Sequence, residues 1–346
     1  MRPSEYIHID ESLTQFSQFL EGHEYSQIIV LTDVNCDEHC FPVLLDHIPE
    51  NSNMEVLTIT AGESSKSLEA CEAIWQNLLD LEVDRNALMI NLGGGMITDL
   101  GGLIATTWKR GIDFIHVPTS LLGMVDASIG GKTGINFNGV KNIIGSFTEP
   151  KRVFISKTFL NTLPEREYIS GFAEVLKYGL VTNADLWNKL KELKHTDVDD
   201  YLEETTRVKI GIVEEDHFEE GRRKILNFGH TIGHGIESYC LSQDCEVLHG
   251  EAVAAGMICE SYMSMKLNDL TEEEYKEIKE TIQGHFEKIP LETEDIEPIL
   301  EYMRNDKKND SDEFQFSLIN EIGSCDIHQP ASVEDIQEAL QNYIDD

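Results

Sequence analysis

Residues 87–99, Ala-Leu-Met-Ile-Asn-Leu-Gly-Gly-Gly-Met-Ile-Thr-Asp, are the part of this 346-residue chain that decides its fold. An apolar run with strand character ends at Leu92, three glycines follow, and a helical pattern begins directly after them. Glycines let the backbone approach a pyrophosphate, and a helix N-terminus offers free N–H groups. The stretch predicts a dinucleotide-binding turn. Because its spacing is not Gly-x-Gly-x-x-Gly, a tight turn without a ligand stays the alternative.

The same alternation of strand and helix extends over the first 160 residues. Apolar runs predict further strands at 28–31, 54–59 and 114–117, and helical spacing predicts a helix at 67–81. Alternating strands and helices are typical of a largely parallel sheet with covering helices. We therefore expect an α/β domain over residues 1–160. Asp33, after the first of these strands, suits a ribose hydroxyl, although an Asp in that place is more often a turn or cap residue.

The pattern changes after Pro164 to almost continuous helical periodicity. The predicted helices are 165–180, 184–193, 198–215, 231–239, 251–266 and 271–286. A strand pair near 314–319, a turn at Gly323 and a final helix at about 333–344 follow. We therefore expect a mainly α-helical domain over residues 161–346.

The composition is strongly acidic, with 27 Lys and Arg against 64 Asp and Glu and a formal net charge of −37. Nucleic acid is excluded as a partner, because binding phosphates takes clustered basic residues. The chain has neither the ~18–20 apolar residues of a membrane span nor the apolar segment of a secretion signal. The seven cysteines lack zinc-ribbon spacing. We expect a cytoplasmic protein with reduced cysteines and no membrane partner, from a salt-tolerant host.

A second glycine-rich segment, Val-Asp-Ala-Ser-Ile-Gly-Gly-Lys-Thr-Gly at 125–134, is followed by Lys141 and Asn142. Glycine N–H groups and lysine ammonium groups together suit an anionic substrate group. The alternative is a flexible loop with solvated lysines. Because basic residues are scarce in this chain, we favour an anion-binding site.

A third group of residues suits a metal ion. His230 and His234 have i, i+4 spacing, which places both imidazoles on one face of a helix. His249 opens a later predicted helix, and Glu174 is an acidic residue on an otherwise apolar one. Two histidines and a carboxylate leave an open coordination position, as a catalytic zinc needs. From the residues alone, His230 and His234 are the predicted ligand pair, with a core or capping role as the alternative.

Seven segments together resemble the dehydroquinate synthase family in their order and approximate spacing. They are GGGMITDLGG, VPTSLLGMVDASIGGKTGIN, KNIIGSF, TLPERE, GFAEVLKYGL, RKILNFGHTIGH and LHGEAVAAGM, within about residues 28–325. The resemblance implies an N-terminal Rossmann-like domain, a helical C-terminal domain and a homodimer. It also implies NAD and one divalent metal, zinc or cobalt, as cofactors.

The resemblance also assigns individual residues. It implies Glu174, His230 and His249 as metal ligands, which moves His234 from the ligands to the substrate pocket. The implied NAD contacts are Asp33, Asn35, Gly62, Glu63, Lys66, Gly94, Gly95, Met96, Asp99, Thr119, Ser120, Asp126, Lys132, Lys141, Phe159, Leu160, Asn161 and Thr162. The implied substrate contacts are Asp126, Lys132, Lys141, Asn142, Lys177, Lys209, Arg223, Asn227, His234 and either Lys307 or Lys308, with Arg110 reaching across a dimer interface. Lys132, Glu174, Lys177, Asn227 and His234 are the implied catalytic residues.

The reaction that the resemblance implies converts 3-deoxy-D-arabino-heptulosonate 7-phosphate into 3-dehydroquinate and phosphate. Lys209, Arg223 and Asn227 favour a substrate that bears a carboxylate. One alternative is a related cyclase that acts on sedoheptulose 7-phosphate or a glucose phosphate. Others are a metal-dependent alcohol or glycerol dehydrogenase and a catalytically inactive relative with a binding role.

Overall fold

The computed structural model describes residues 2–138, 140–243, 245–307 and 313–346. The chain divides into two compact units, Met1–Tyr168 and Ile169–Asp346. Among the described residues, no helix combines the length and the apolar character needed to cross a membrane.

The first unit is built on a six-stranded parallel sheet. Its strands, with those of a separate hairpin, are β1 Ile7–Ile9, β2 Ile28–Asp33, β3 Met54–Ile59, β4 Leu88–Gly93, β5 Asp113–Pro118, β6 Lys132–Phe137, β7 Val140–Phe147 and β8 Arg152–Ile155. The order in the sheet is β1-β8-β5-β4-β2-β3, and every pair in it is parallel. Strands β6 and β7 pair antiparallel with each other.

The four strands predicted in the first half are confirmed as β2, β3, β4 and β5. Strands β2 and β4 lie inside the sheet and are buried along their whole length, which explains their unbroken apolar runs. Periodicity missed β1 and β8 because they have only three and four residues. It also missed the β6–β7 hairpin, whose glycines and lysines interrupt any alternation.

The helices of the first unit cover the sheet. They are α1 Pro3–Tyr6, α2 Thr14–Glu21, α3 Val34–His39, α4 Phe41–Leu45, α5 Leu68–Asp80 and α6 Gly95–Thr107, with 3₁₀ turns at Glu63–Ser65, Trp108–Arg110 and Lys157–Thr162 and a π-helical turn at Gly123–Ala127. Helix α5 confirms the predicted helix, and it starts after Ser67, whose hydroxyl accepts from Ala70 N at 3.2 Å. The α/β character predicted from the sequence is therefore confirmed.

The second unit is mainly helical, as predicted. Its helices are α7 Glu165–Thr182, α8 Ala184–Leu190, α9 Leu202–Glu215, α10 His230–Ser242, α11 His249–Leu267, α12 Glu272–Gln283, α13 Ile296–Lys307 and α14 Val333–Asp345, with 3₁₀ turns at His195–Tyr201, Arg222–Asn227 and Thr293–Asp295. Strands β9 Glu313–Glu321 and β10 Ser324–Ser332 form an antiparallel hairpin. Helical periodicity did not predict α13, and it placed the start of α9 too early, where a 3₁₀ turn precedes the helix.

Helices α10 and α11 pack against each other through glycines. A Cβ atom on Gly233 would lie 2.9 Å from Ala252 O, and one on Gly256 would lie 2.0 Å from Gly229 O. No larger residue fits at either position without moving a backbone. This close approach brings the first turn of α10, with His230 and His234, beside the N-terminal half of α11.

Candidate active site

Most of the residues predicted to bind NAD lie at the carboxyl edge of the parallel sheet, whereas Lys132 and Lys141 lie on the separate β6–β7 hairpin. The sheet order reverses between β2 and β4, because the chain runs from β2 to β3 on one side and from β4 to β5 on the other. Ligands of open parallel sheets bind outside the carboxyl ends of the strands at such a reversal. The predicted contacts are Asp33 and Asn35 at the end of β2, Gly62, Glu63 and Lys66 after β3, Gly94, Gly95, Met96 and Asp99 after β4, Thr119, Ser120 and Asp126 after β5, and Phe159, Leu160, Asn161 and Thr162 after β8.

The triple-glycine turn joins β4 to α6, as predicted. A Cβ atom on Gly94 would lie 3.1 Å from Ser120 Oγ, and one on Gly95 would lie 3.0 Å from Ala127 Cβ. Gly94 is the N-cap of α6 and has no side chain with which to accept hydrogen bonds from the first turn. The first N–H groups of α6 therefore keep the donor capacity that a phosphate group needs.

Asp33 has the capping role that was the alternative to ribose binding. Its Oδ1 accepts from Asn35 N at 2.9 Å and from Cys36 N at 3.1 Å, which caps α3. Both bonds use the same oxygen. Contact between Asp33 and a ribose stays a prediction.

Lys66 and Asp99, two predicted NAD contacts, bind each other. Lys66 Nζ lies 2.6 Å from Asp99 Oδ2, and the lysine is buried. Burial raises the pKa of Asp99 and outweighs the opposite effect of Lys66. The ion pair connects the segment after β3 with the first turns of α6.

The predicted anion-binding lysines lie on the β6–β7 hairpin. Lys132 begins β6 opposite Phe147, and Lys141 lies near the turn, next to Val140. Both lysines belong to strands and not to a loop, and Lys132 is exposed to solvent. Anion binding by the two lysines stays a prediction. Asn142 follows in the left-handed region with φ +53°.

Asn136, which no sequence pattern predicted as a site residue, connects this hairpin to the segment after β3. Its backbone N donates to Lys66 O at 2.9 Å, and its Nδ2 donates to Glu63 Oε1 at 2.8 Å. Its Oδ1 accepts from Asn142 N at 2.9 Å. One amide therefore links predicted NAD contacts with a predicted substrate contact. The only sequence signal was its place after the Gly-Gly-Lys-Thr-Gly run.

In the second unit, one buried carboxylate faces two imidazoles. Glu174 lies in α7 and is fully buried, and its Oε1 is 3.3 Å from His230 Nε2 and 3.6 Å from His249 Nε2. Among the described residues, neither oxygen of Glu174 accepts a hydrogen bond of normal geometry. Lys177, one helical turn later, forms an ion pair with Oε2. A buried carboxylate in such surroundings fits a cation between it and the imidazoles.

The other nitrogen of each imidazole faces an acceptor. His230 Nδ1 lies 3.3 Å from Phe228 O, and His249 Nδ1 lies 3.3 Å from Glu237 Oε2. When each imidazole is neutral with its proton on Nδ1, its Nε2 lone pair is directed toward Glu174. Metal-binding histidines are held in the same way, by an acceptor on the nitrogen that does not bind the metal.

His234 belongs to the same cluster. Ligand atoms of His230, His234 and His249 all lie within 4.8 Å of one another. The i, i+4 spacing thus brings His230 and His234 together, as the sequence predicted. The structure adds Glu174 and His249, which come from α7 and α11. The ligand set Glu174, His230 and His249 stays a prediction, supported by the orientation of both Nε2 atoms.

The charges in this cluster suit a cation. Burial opposes ionisation of Glu174, but Lys177 and His230 outweigh it and hold the pKa of Glu174 well below its usual range. Burial and Lys177 lower the pKa of His230, which keeps that imidazole neutral. Burial also disfavours charge on His249, yet Glu237 and Glu174 raise its pKa to about 9. Without a metal this imidazole is therefore protonated at neutral pH, and a cation that binds Nε2 has to displace its proton. Two imidazoles and an ionised carboxylate are the donors of a catalytic zinc site with an open position.

Several further side chains predicted to bind substrate lie in this unit, and three cations among them are buried. Lys177 lies in α7 and Lys209 in α9, and both are buried. Arg223, also buried, donates to His217 O at 2.7 Å. Asn227 Nδ2 donates to Glu219 Oε1 at 3.0 Å. The side chain of Lys307 and the whole of Lys308 lie outside the described residues. In the first unit, Arg110 is exposed and has φ +69°.

Two family profiles match consecutive parts of the chain. The profile of the 3-dehydroquinate synthase N-terminal domain matches residues 56–170, and that of the C-terminal domain matches residues 171–309. The chain belongs to the 3-dehydroquinate synthase family. A 3-dehydroquinate synthase of Parabacteroides distasonis is 39% identical over 335 residues, which are 95% of this chain and 95% of the relative. That of Rippkaea orientalis is 39% identical over 347 residues, 96% of this chain and 94% of the relative.

Solved structures share the fold. A 2-deoxy-scyllo-inosose synthase complexed with carbaglucose-6-phosphate, NAD⁺ and Co²⁺ has a TM-score of 0.85 at 24% identity, covering 97% of this chain and 96% of that one. The 2-epi-5-epi-valiolone synthase of Streptomyces hygroscopicus, with NAD⁺ and Zn²⁺ bound, has a TM-score of 0.82 at 24% identity, covering 98% and 96%. A glycerol dehydrogenase of Schizosaccharomyces pombe has a TM-score of 0.61 at 15% identity, covering 98% and 88%.

Proposed function

We propose that this protein converts 3-deoxy-D-arabino-heptulosonate 7-phosphate into 3-dehydroquinate and phosphate, with NAD and one divalent metal as cofactors. The observation that carries the proposal is the buried Glu174 carboxylate with His230 Nε2 and His249 Nε2 at 3.3 and 3.6 Å. It occurs in a chain that shares 39% identity with named 3-dehydroquinate synthases over almost its whole length. The reaction belongs to aromatic amino-acid biosynthesis.

Glu174, His230 and His249 would hold the metal. Two imidazoles and a carboxylate form a borderline donor set that suits zinc or cobalt. When bound, the metal supplies Lewis-acid polarisation of a substrate oxygen. Glu237 orients His249, and the Phe228 carbonyl orients His230, so both imidazoles would present Nε2 to the metal, with His249 releasing its proton as the metal binds.

The carboxyl edge of the sheet in the first unit would hold NAD. The N-terminus of α6 would bind the pyrophosphate through its N–H groups, and Asp33 would bind a ribose hydroxyl. When bound, NAD supplies a hydride acceptor at the substrate's C5 carbon and returns the hydride before the product leaves. NAD is therefore a catalyst in this reaction and is not consumed.

The buried cations of the second unit suit the substrate's carboxylate. Arg223 and Lys209 are positive groups removed from water, and Asn227 adds an amide donor. A substrate without the carboxylate would offer these groups no negative charge and should bind less well. This favours the heptulosonate ester over neutral sugar phosphates.

The β6–β7 hairpin of the first unit suits a phosphate. Lys132, Lys141 and Asn142 offer donors and positive charge, and Asn136 fixes the backbone at Asn142. Loss of the hydride makes C5 a ketone, which acidifies the C–H group on the neighbouring carbon. The leaving phosphate can itself accept that proton. The protein then has mainly to hold the phosphate in position. Because a carbon–oxygen bond breaks and no water is added, the enzyme is a carbon–oxygen lyase.

A homodimer is part of the proposal. The hairpin of the first unit exposes four large apolar side chains, Phe137, Ile143, Ile144 and Phe147, each by 39–45%. Exposed large apolar side chains grouped on one hairpin are typical of an interaction site. A second copy would cover this surface, and Arg110 would contact the partner's substrate. Sedimentation of the wild type and of Phe147→Ser should show a dimer and a weakened dimer, respectively.

Turnover of 3-deoxy-D-arabino-heptulosonate 7-phosphate tests the proposal. The metal-loaded protein is supplied with NAD and substrate, and released phosphate and the nicotinamide absorbance are followed together. We expect about one phosphate per substrate and no net NADH, because the hydride is returned. Sedoheptulose 7-phosphate and glycerol serve as control substrates. Stoichiometric NADH would indicate a dehydrogenase, and faster turnover of the sedoheptulose ester would indicate another cyclase.

A further inference from the structure

The first turn of α10 is capped by a carboxylate from another helix. Glu260, in α11, is fully buried. Its Oε2 accepts from Gly229 N at 2.6 Å, and its Oε1 accepts from Ile232 N at 3.0 Å. Ile232 is the third residue of α10, so this contact is the one that an N-cap side chain would normally make.

The close packing of α10 on α11 prevents a local cap. Gly229 is the N-cap of α10, has φ +80°, and has no side chain. A Cβ atom at this position would lie 2.4 Å from Met257 Cγ. Serine, threonine or aspartate therefore cannot replace Gly229 to cap the helix. The acceptor has to come from the neighbouring helix, and Glu260 is that acceptor.

Both imidazoles that face Glu174 are the first residues of their helices. His230 begins α10 and His249 begins α11. A helix N-terminus carries a partial positive charge, which disfavours a cation bound beside it. Helix α11 carries its own acid, because Glu251 Oε2 accepts from Leu248 N at 2.8 Å. Helix α10 has no acidic residue in its first turn. Glu260 thus places a negative charge at the N-terminus of α10, as Glu251 does at the N-terminus of α11.

We propose that Glu260 is a positioning residue of the metal centre. It fixes the first turn of α10 through two N–H groups, and it offsets the positive end of that helix beside His230. It acts through the backbone of the turn that carries His230. The inference rests on the metal site of the proposed function and adds a fourth carboxylate, after Glu174, Glu237 and Glu251, that supports the same cation.

Cobalt binding to the metal-free protein tests this role without any turnover. Co²⁺ is titrated into wild type, Glu260→Gln and Glu260→Ala, and binding is followed by the cobalt absorption spectrum. We expect the cobalt Kd to rise by about 10- to 100-fold, the effect usual for groups that support metal ligands. Glu260→Gln should lie at the low end, because its amide oxygen still accepts one N–H. Glu260→Ala should lie at the high end.

Ser332→Ala is the matched control. Ser332 Oγ accepts from Asp335 N at 3.2 Å and caps α14, which has 13 residues like α10. Loss of either cap should lower the melting temperature, but the control should bind cobalt with the wild-type Kd. This separates a general loss of stability from a specific effect on the metal.

Each outcome decides the proposal. Wild-type cobalt affinity in a folded Glu260→Ala would overturn it, and so would an equal loss of affinity in Ser332→Ala. If neither Glu260 variant folds, the residue serves the whole unit and has no specific role at the metal, which also overturns it. Wild-type protein that binds no cobalt would contradict the proposed function itself.

Discussion

Helices α6 and α10 both begin after a glycine N-cap, but their first turns meet opposite surroundings. Gly94 precedes α6, and its turn presents N–H groups toward the carboxyl edge of the sheet. Gly229 precedes α10, and the buried Glu260 occupies two N–H groups of its turn. The first arrangement suits an anion, and the second suits a cation. A helix N-terminus thus favours an anion when its N–H groups are free, and it tolerates a nearby cation when a carboxylate already binds them.

The largest effect should come from removing an imidazole of the α10 turn. In His230→Ala, cobalt binding and activity should be lost together, because one of three donors is missing. In His234→Ala, cobalt should remain bound while the rate falls. Metal analysis of both purified variants makes the measurement. Metal retained in His230→Ala and lost in His234→Ala would reverse the proposed ligand set.

A carboxylate placed at the α6 turn should occupy the N–H groups there, as Glu260 does at the start of α10. In Gly94→Asp, the new carboxylate would compete with the pyrophosphate, and like charges about 4 Å apart repel strongly near a protein surface. We expect NAD affinity to fall by about 100-fold relative to Gly94→Ala, which adds the same Cβ without charge. Calorimetric titration with NAD measures the difference. Equal NAD affinity in the two variants would show that the α6 turn does not bind the phosphates.

A smaller effect should follow from changing the carboxylate behind His249. In Glu237→Gln, the side chain keeps its shape but loses the charge that faces His249 Nδ1 at 3.3 Å. We expect cobalt affinity to fall by about tenfold. Cobalt titration of the metal-free variant is the measurement, with Glu277→Gln, which changes a carboxylate bound to Trp187 in the same unit, as the control. An unchanged cobalt Kd would remove Glu237 from the support of the metal.

Salt should change the melting temperature through the exposed charges and much less through the buried ones. At 1 M potassium chloride the screening length is ~3 Å, which relieves repulsion among exposed acids in a chain of net charge −37. We expect the melting temperature of the wild type to rise with salt. The difference in melting temperature between wild type and Glu260→Gln should change little, because buried contacts are screened less. A wild-type melting temperature that falls steadily with salt would contradict the expectation of salt tolerance.

Local patterns in the sequence were sufficient to predict most of the longer helices and strands and part of the site. The apolar run at 87–92 and its three glycines predicted the β4–α6 turn, because both features act within a few residues. The spacing of His230 and His234 predicted neighbouring imidazoles for the same reason. Very short strands were not predicted, because a strand of three residues such as β1 is too short to show alternation of apolar and polar residues.

The tertiary structure decided which groups meet around the imidazoles. Glu251 lies three residues from Leu248, so its capping contact follows from local sequence alone. Glu260 lies 31 residues from Gly229, and their contact depends on how closely α10 and α11 pack. The same holds for Glu174, which reaches His230 and His249 from α7. Helical periodicity shows which face of a helix is apolar, but the partner of a buried carboxylate is fixed only when the helices are packed together.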